Sequence, residues 1–294
     1  MKNKPIFCII IFAMIISTLF SCRQSEGEAE VSTLPPVESE GLPSENALTS
    51  VKTDDFIFTI YKTYAEITEC ISATEQLVIP DTVTGVPVKS IAENAFFGNE
   101  KLVSVTLPSF LVEIGSHAFE ECSALKTVIA GDKLEVVGMA SFKNTPLEEI
   151  SLPDTVYSIG KQAFYRTKIT SFTVPSSVSV IENFVFYGCE NLISIDFGKR
   201  VNMICDNAFY NCTSLTSLII PDNILKIGDY TFRGCTSLSK IFIPKKTVLG
   251  ENTFLSCPSL TVFTPKGSDA YSKAKTYGYN CEICSSGEKM TEAE

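Results

Sequence analysis

The sequence has no tryptophan and one histidine, His117, in 294 residues. It has no GxSxG elbow, HExxH helix, Walker loop or dinucleotide fingerprint. No calcium-binding repeat is visible either. Basic residues are also short: 24 Lys and Arg against 34 Asp and Glu leave a formal charge of −10. That balance excludes a nucleic-acid surface, which needs clustered cations. Acidic residues do occur in pairs, at Asp54–Asp55, Glu120–Glu121 and Glu148–Glu149. Adjacent residues of an extended segment point to opposite faces, so these make poor general acid–base pairs. His117 sits where other stretches of the chain carry any polar residue. No enzyme activity, cofactor or metal is expected from this inventory.

What is present starts with a leader. "MKNK" is basic, "PIFCIIIFAMIISTLF" is apolar but short for a membrane span, and "LFSC" ends at Cys22. Leu19, Phe20 and Ser21 before a Cys resemble the lipobox of bacterial lipoproteins. That resemblance implies cleavage of residues 1–21 and lipidation of Cys22; an ordinary signal peptide or an uncleaved anchor is the alternative. Loss of Lys2 and Lys4 takes the chain to about −12. Acyl chains hold a protein at a membrane by about 0.8 kcal/mol per buried methylene. Residues 23–50 contain six Glu, three Pro and no aromatic. Such a stretch cannot bury enough apolar surface to offset its ordering entropy. Residues 22–50 therefore read as lipidated Cys plus a disordered tether, spanning roughly 30 Å.

The rest repeats itself. A Phe recurs at Phe96, Phe119, Phe142, Phe164, Phe186, Phe209, Phe232 and Phe254, at steps of 22 or 23 residues. An aliphatic precedes each by five positions, from Ile91 to Leu249. After each of the first seven comes a phrase such as "LVSVTLP" or "LTSLIIP", with strand alternation over its last residues. Two phrases, "LKTVIAG" and "LISIDFG", put Gly131 and Gly198 where the other five have Pro. Local bulges or looser turns are expected there, with the stack kept. One unit has a single apolar face and buries it only against the next unit. Eight turns at ~4.8 Å each make a body roughly 40 Å long, with the Phe column inside.

"IGDYTFRGCTSLSKIFIP", Ile227 to Pro244, resembles the repeat of BspA-type leucine-rich repeat proteins. The resemblance covers about residues 56–280. It implies a β-rich solenoid, a leucine-rich repeat superhelix of about eight units with N- and C-terminal caps. The implied division is a cap over 51–90, the solenoid over 91–264, a cap with a short helix over 265–284, and a disordered tail over 285–294. It also implies a cell-envelope protein, lipid-anchored and displayed at the outer-membrane surface. Its platform would bind a protein or glycan of a host or a neighbouring cell. The membrane is met through the lipid only, and the chain is expected to be a monomer. A periplasmic assembly scaffold is the alternative.

Cys122, Cys189, Cys212, Cys235 and Cys257 each lie three residues after an anchor. They read as a column of buried thiols; a disulfide ladder is the rival, poorly suited because parallel Cβ vectors miss the required dihedral. Cys281 and Cys284 form a lone CxxC, read as a local disulfide or two thiols rather than half a zinc site. Two surface rows are candidate partner sites. Outward positions of the strand phrase are mostly Ser and Thr, with Asp196, Ile219, Lys240 and Phe242 towards the C-terminal end. Phe242 with Ile219 and Lys240 is the sharpest patch, unless the C-terminal segment covers it. The residues directly after the anchors include Tyr165, Tyr187 and Tyr210, either a recognition edge or a structural ladder.

Overall fold

The computed structural model describes residues 46–287 and Leu42. The leader 1–21, Cys22, most of the tether and residues 288–294 lie outside the described residues. The described part is a β-solenoid with a coil of about 23 residues, as the spacing of the anchors requires.

Each coil contributes two short parallel strands and one tight turn. The first row of strands contains Glu113–Ile114, Val136–Val137 and Ser158–Ile159, then Val180–Ile181, Met203–Ile204, Lys226–Ile227 and Val248–Leu249. The second row is the strand phrase. It runs from Gln76–Val78 through Ser104–Thr106, Thr127–Ile129, Glu149–Ser151, Ser171–Thr173, Ser194–Asp196, Ser217–Ile219 and Lys240–Phe242 to Thr261–Thr264 and Asn280–Ile283. All register pairs between successive coils are parallel and in phase, such as Leu218 with Ile241 and Ile241 with Val262. The second row has one rung more at each end than the Phe repeat, since Gln76–Val78 and Asn280–Ile283 pair onto it without an anchor of their own.

The middle residue of each phrase, such as Val105, Phe172 or Leu218, turns inward and its neighbours turn outward. The eight anchors are all buried. Successive rings stack with centroids 4.5–5.9 Å apart and planes within 26° of parallel. Offset stacking suits the ring quadrupole, and the column is one continuous core.

The turn that carries the anchor has a backbone the sequence does not advertise. The residues two before and two after every anchor have φ between +52° and +75°. Of these sixteen, three are Gly and five are Asn; the rest include His117, Phe184, Arg166 and Tyr230. For a residue with a Cβ this conformation costs on the order of 1 kcal/mol. The alternation aims every second N–H at the next coil: Asn94, Phe96 and Gly98 donate to the carbonyls of Ser116, Ala118 and Glu120. The amides between them close tight turns inside the coil, as Phe97 does to Asn94. A third row of inter-coil bonds results, and it outweighs the local strain.

Glycine four residues before an anchor has a different cause. A Cβ on Gly138 would lie 2.5 Å from the Gly115 backbone, and one on Gly160 2.5 Å from Met139. In this row Gly115, Gly138, Gly160, Gly228 and Gly250 each donate to a carbonyl of the preceding coil at 2.6–2.8 Å. Ala92 and Cys205 donate likewise. Among the described residues, Glu182 alone in the row makes no such bond. There the first row of strands is interrupted, between Ser158–Ile159 and Val180–Ile181. A small apolar gap lined by Ile159, Phe172, Val180 and Phe186 opens at the same place.

The expectation about the two odd glycines is half met. Gly198 has φ +66°, and the second row is broken between Ser194–Asp196 and Ser217–Ile219. Gly131 has no such φ, and the sheet runs on through Thr127–Ile129. A second interruption, between Glu149–Ser151 and Ser171–Thr173, lies between two coils that are one residue shorter after the anchor.

At the N-terminal end, Thr49–Lys52, Phe56–Ile60 and Ala65–Cys70 form an antiparallel set whose last strand pairs in parallel with Val86–Ile91. At the other end a helix, Asp269–Tyr277, starts at Ser268, whose hydroxyl accepts from the Tyr271 amide, and stops at Gly278 with φ +74°. The helix meets the open edge of Val248–Leu249. Asp269 accepts the Leu249 amide at 2.8 Å, and the Lys273 ammonium donates to the Leu249 and Gly250 carbonyls. Main-chain groups that another coil would have paired are satisfied by these two side chains.

Candidate binding surfaces

The strand face comes first. Ser171, Thr173, Ser194, Asp196, Ser217 and Ile219 are exposed, as alternation requires. Asp196 accepts the Gly198 amide at 3.0 Å, so its carboxylate serves the turn as well as the surface. Ile219 is 48% exposed and Ile129 56%. Lys240 is half-buried.

Phe242 requires a correction. It is 5% exposed and packs with Phe263 and Cys284 in a small cluster of its own. Thr261–Thr264 pairs beside it, and the chain after Ile283 folds back across it; the Cys284 amide donates to Thr264. The return continues to Gly287, where a Cβ would lie 2.9 Å from Ile219 Cγ2. The C-terminal segment therefore covers the proposed anchor. The exposed patch of Phe242, Ile219 and Lys240 does not exist in that form, because the side chain that was to lead it is core.

The second row lies on the turns. Tyr165, Tyr187 and Tyr210 stack with centroids 4.7 and 4.6 Å apart and planes within 8°. Their position follows from the anchors: the residue after each Phe is carried to the outside of the same turn, one coil above the last. Cations cover the ends. The Arg166 guanidinium lies 5.4 Å from the Tyr165 centroid, and the Lys143 ammonium 6.0 Å. Arg233 lies 5.4 Å from Tyr210 and 5.6 Å from Tyr230. Lys143 also reaches Glu120 at 2.7 Å, and Glu120 is hydrogen-bonded to His117 Nδ1. Those contacts hold the Glu120 carboxyl below its ordinary range despite the opposing effect of burial. His117, Glu120, Lys143 and the tyrosines thus form one continuous stripe along the turns.

A family model for the BspA-type leucine-rich repeat region matches in six copies, over residues 68–183 and 158–283. The chain belongs to the BspA-type leucine-rich repeat family. No curated protein matches it. Among solved structures, a leucine-rich repeat protein of T. pallidum is 23% identical with a TM-score of 0.52, covering 81% of this chain and all of that one. A leucine-rich repeat protein of Bacteroides ovatus is 24% identical with a TM-score of 0.44, covering 77% and 71%. The first of these likenesses shows the same fold.

The cysteines of this BspA-type chain are free thiols throughout the described residues. In the column each Sγ donates to the carbonyl of the anchor Phe one coil back: Cys122 to Phe96, Cys189 to Phe164, Cys212 to Phe186, Cys235 to Phe209 and Cys257 to Phe232, at 3.1–3.2 Å. The thiol is thus a small apolar filler that also satisfies a buried acceptor. Of the three coils without Cys at this place, one has Asn99 and two use Thr145 and Thr167, whose hydroxyls bond the anchor carbonyl of their own coil. Burial pushes Cys122 and Cys189 up to about 12, Cys257 to about 11, and Cys212 and Cys235 also upward. Since the thiolate is the nucleophile, the column is unreactive. Iodoacetamide at about pH 8 is expected to label Cys281 in the folded chain and to spare Cys189, Cys212 and Cys235 until urea is added. Peptide mapping checks this; native labelling of the column would show that the thiols are not held as described.

Among the described residues no helix is long and apolar enough to cross a membrane, and no group of three His, Cys, Asp or Glu is placed to hold a metal.

Proposed function

We propose that this chain is a lipid-anchored cell-envelope protein whose solenoid is a platform for binding another protein. Residues 51–90 and 265–284 close its two ends, and residues 22–50 hold it away from the lipid on Cys22. The observation that carries the reading is the division of labour within each coil. The Phe column and three rows of backbone bonds fix the stack. The outward side chains at Ser171, Thr173, Ser194, Asp196, Ser217 and the tyrosine row take no part in that core. A surface of this kind changes residue by residue at little cost to stability, which suits recognition. Among the described residues, the gap beside Ile159 and Phe172 is small and apolar, unlike a substrate cleft. Family membership supports the platform, and the lipobox-like "LFSC" supports the anchor.

The reading predicts two results in cells. Cys22→Ala is expected to abolish labelling by a palmitate analogue and to release the protein from the membrane fraction. Protease added to intact cells is expected to remove the solenoid. Full protection from protease, with release only after outer-membrane lysis, would instead place the chain in the periplasm as an assembly scaffold.

A further inference from the structure

We propose that the tyrosine ladder is a docking strip for an extended acidic peptide segment, bearing carboxylates four residues apart, on a partner protein. The proposal rests on the platform reading and names what one of its faces takes. Three observations carry it. First, positive charge is gathered on this strip. The chain carries −10 overall, yet two of the three arginines between residues 46 and 287, Arg166 and Arg233, are gathered on this strip. Among the described residues neither has a carboxylate partner; the salt bridges involve His117, Lys126, Lys143 and Lys273. Arg166 is exposed and lies across Gly188 of the next coil, where a Cβ would sit 3.0 Å from Arg166 Cγ. Guanidinium forks held in place over ring faces lose little freedom when they meet a carboxylate.

Second, the rings show edges and hydroxyls. Each face of Tyr187 is covered by a neighbouring tyrosine, Lys143 of the preceding coil lies 6.0 Å from the Tyr165 centroid, and Arg233 of the following coil lies 5.4 Å from that of Tyr210. Stacking of a sugar on an open aromatic face is therefore unavailable. Phenolic hydroxyls remain as donors, and burial with the neighbouring tyrosines pushes Tyr187 upward, so it stays protonated. A heavily sulfated glycan also meets repulsion from the acidic body, whereas a segment with two or three carboxylates meets little.

Third, the spacing fits a strand. The main-chain positions that carry Arg166 and Arg233 belong to coils three apart, about 14 Å at ~4.8 Å per coil. An extended peptide advances ~3.3 Å per residue, so positions i and i+4 are about 13 Å apart. A segment running along the solenoid axis places one carboxylate on each guanidinium and its backbone over the hydroxyls between.

The test is fluorescence anisotropy of the full chain with a ten-residue Ser/Thr peptide carrying Glu at its third and seventh positions. Saturable binding is expected, weakened about tenfold or more by Arg166→Gln with Arg233→Gln, and similarly by Gln in place of both Glu. The double variant should keep the unfolding midpoint of the parent, since neither arginine is core. A sulfated heparin-type oligosaccharide is the second probe. Equal peptide binding by parent and double variant, no binding at all, or tighter binding of the sulfated sugar would overturn the assignment. None of those results touches the envelope-platform reading, which the protease experiment decides separately.

Discussion

Phe209→Ala is expected to destabilise the fold by about 3–5 kcal/mol, a loss of roughly 10 °C in Tm for a domain of this size. Phe209 is fully buried between Phe186 and Phe232, at 5.3 and 5.4 Å, with Phe197 edge-on at 6.0 Å. Truncation removes the transfer energy of a benzyl group and leaves a hole lined by three other rings. Those rings cannot collapse into it, because each is fixed by its own coil. The N–H of Phe209 donates to Thr231 at 3.0 Å, and the Cys235 thiol donates to its carbonyl. The backbone is thus held at coil spacing whatever the side chain does. In a solenoid the loss is shared by two interfaces, since each anchor touches the coil before and the coil after. Phe209→Leu should lie between the parent and the alanine variant, as a partial filler. Ser194→Ala, on the exposed strand face, should stay within about 0.5 kcal/mol. Urea unfolding of the three variants decides the matter; equal midpoints for Phe209→Ala and Ser194→Ala would mean that the ring column is not the core.

The period and the anchors were legible because they are side-chain facts. A buried benzyl every 22 or 23 residues and an alternating phrase after it leave few architectures, and the family resemblance narrowed them to the one observed. The turn geometry was hidden. Sixteen left-handed residues flank the anchors, but Ala140, Gln162, Phe184, Glu121 and Arg166 stand among them, so no glycine rule could find the row. What selects that conformation is the bond each amide makes one coil away, a property of the stack and not of the local sequence. The rungs at Gln76–Val78 and Asn280–Ile283 were hidden for a related reason: they are templated by the neighbouring strand and carry no anchor. Phe242 was misplaced by alternation alone. Its position in "LSKIFIP" does point outward, and only the return of Cys284 over the sheet makes that side core. The tyrosine row was found as a row with Arg233 as its next member, but Arg166 was not. Arg233 directly follows its anchor, as the tyrosines do, whereas Arg166 comes two residues after its own and stands in another column of the repeat.

The second large effect concerns the glycine row and runs in opposite directions at two of its positions. Gly138→Ala is expected to cost about 1–3 kcal/mol, since its Cβ would meet main-chain atoms of Gly115 that cannot rotate away. Glu182 occupies the same place in its own coil, where a long polar side chain goes with a broken ladder, whereas the small side chains of Ala92 and Cys205 keep the inter-coil bond. Its amide forgoes the inter-coil bond, the strand row opens, and the apolar gap beside Ile159 and Val180 appears. Glu182 is 6% exposed, and its Oε2 accepts no hydrogen bond. Burial pushes its carboxyl upward, with Lys161 and the Asn183 amide opposing. A carboxyl whose pKa is raised on folding binds its proton more tightly in the folded chain. Its stabilising contribution is complete below the ordinary glutamate value and is lost as pH rises through the raised one. At neutral pH the folded state therefore carries a poorly solvated charge. Glu182→Gly removes it and lets the coils approach. The gain expected is about 1–2 kcal/mol at pH near 8, after subtracting the entropy cost of glycine, and it should shrink as pH falls towards about 4. Glu182→Gln isolates the charge: it should reproduce the loss of pH dependence while leaving the strand row open. Urea midpoints at the two pH values separate these effects. A Glu182→Gly chain less stable than the parent at pH near 8 would mean that the carboxylate holds the coils together there, and that the break in the ladder has another cause.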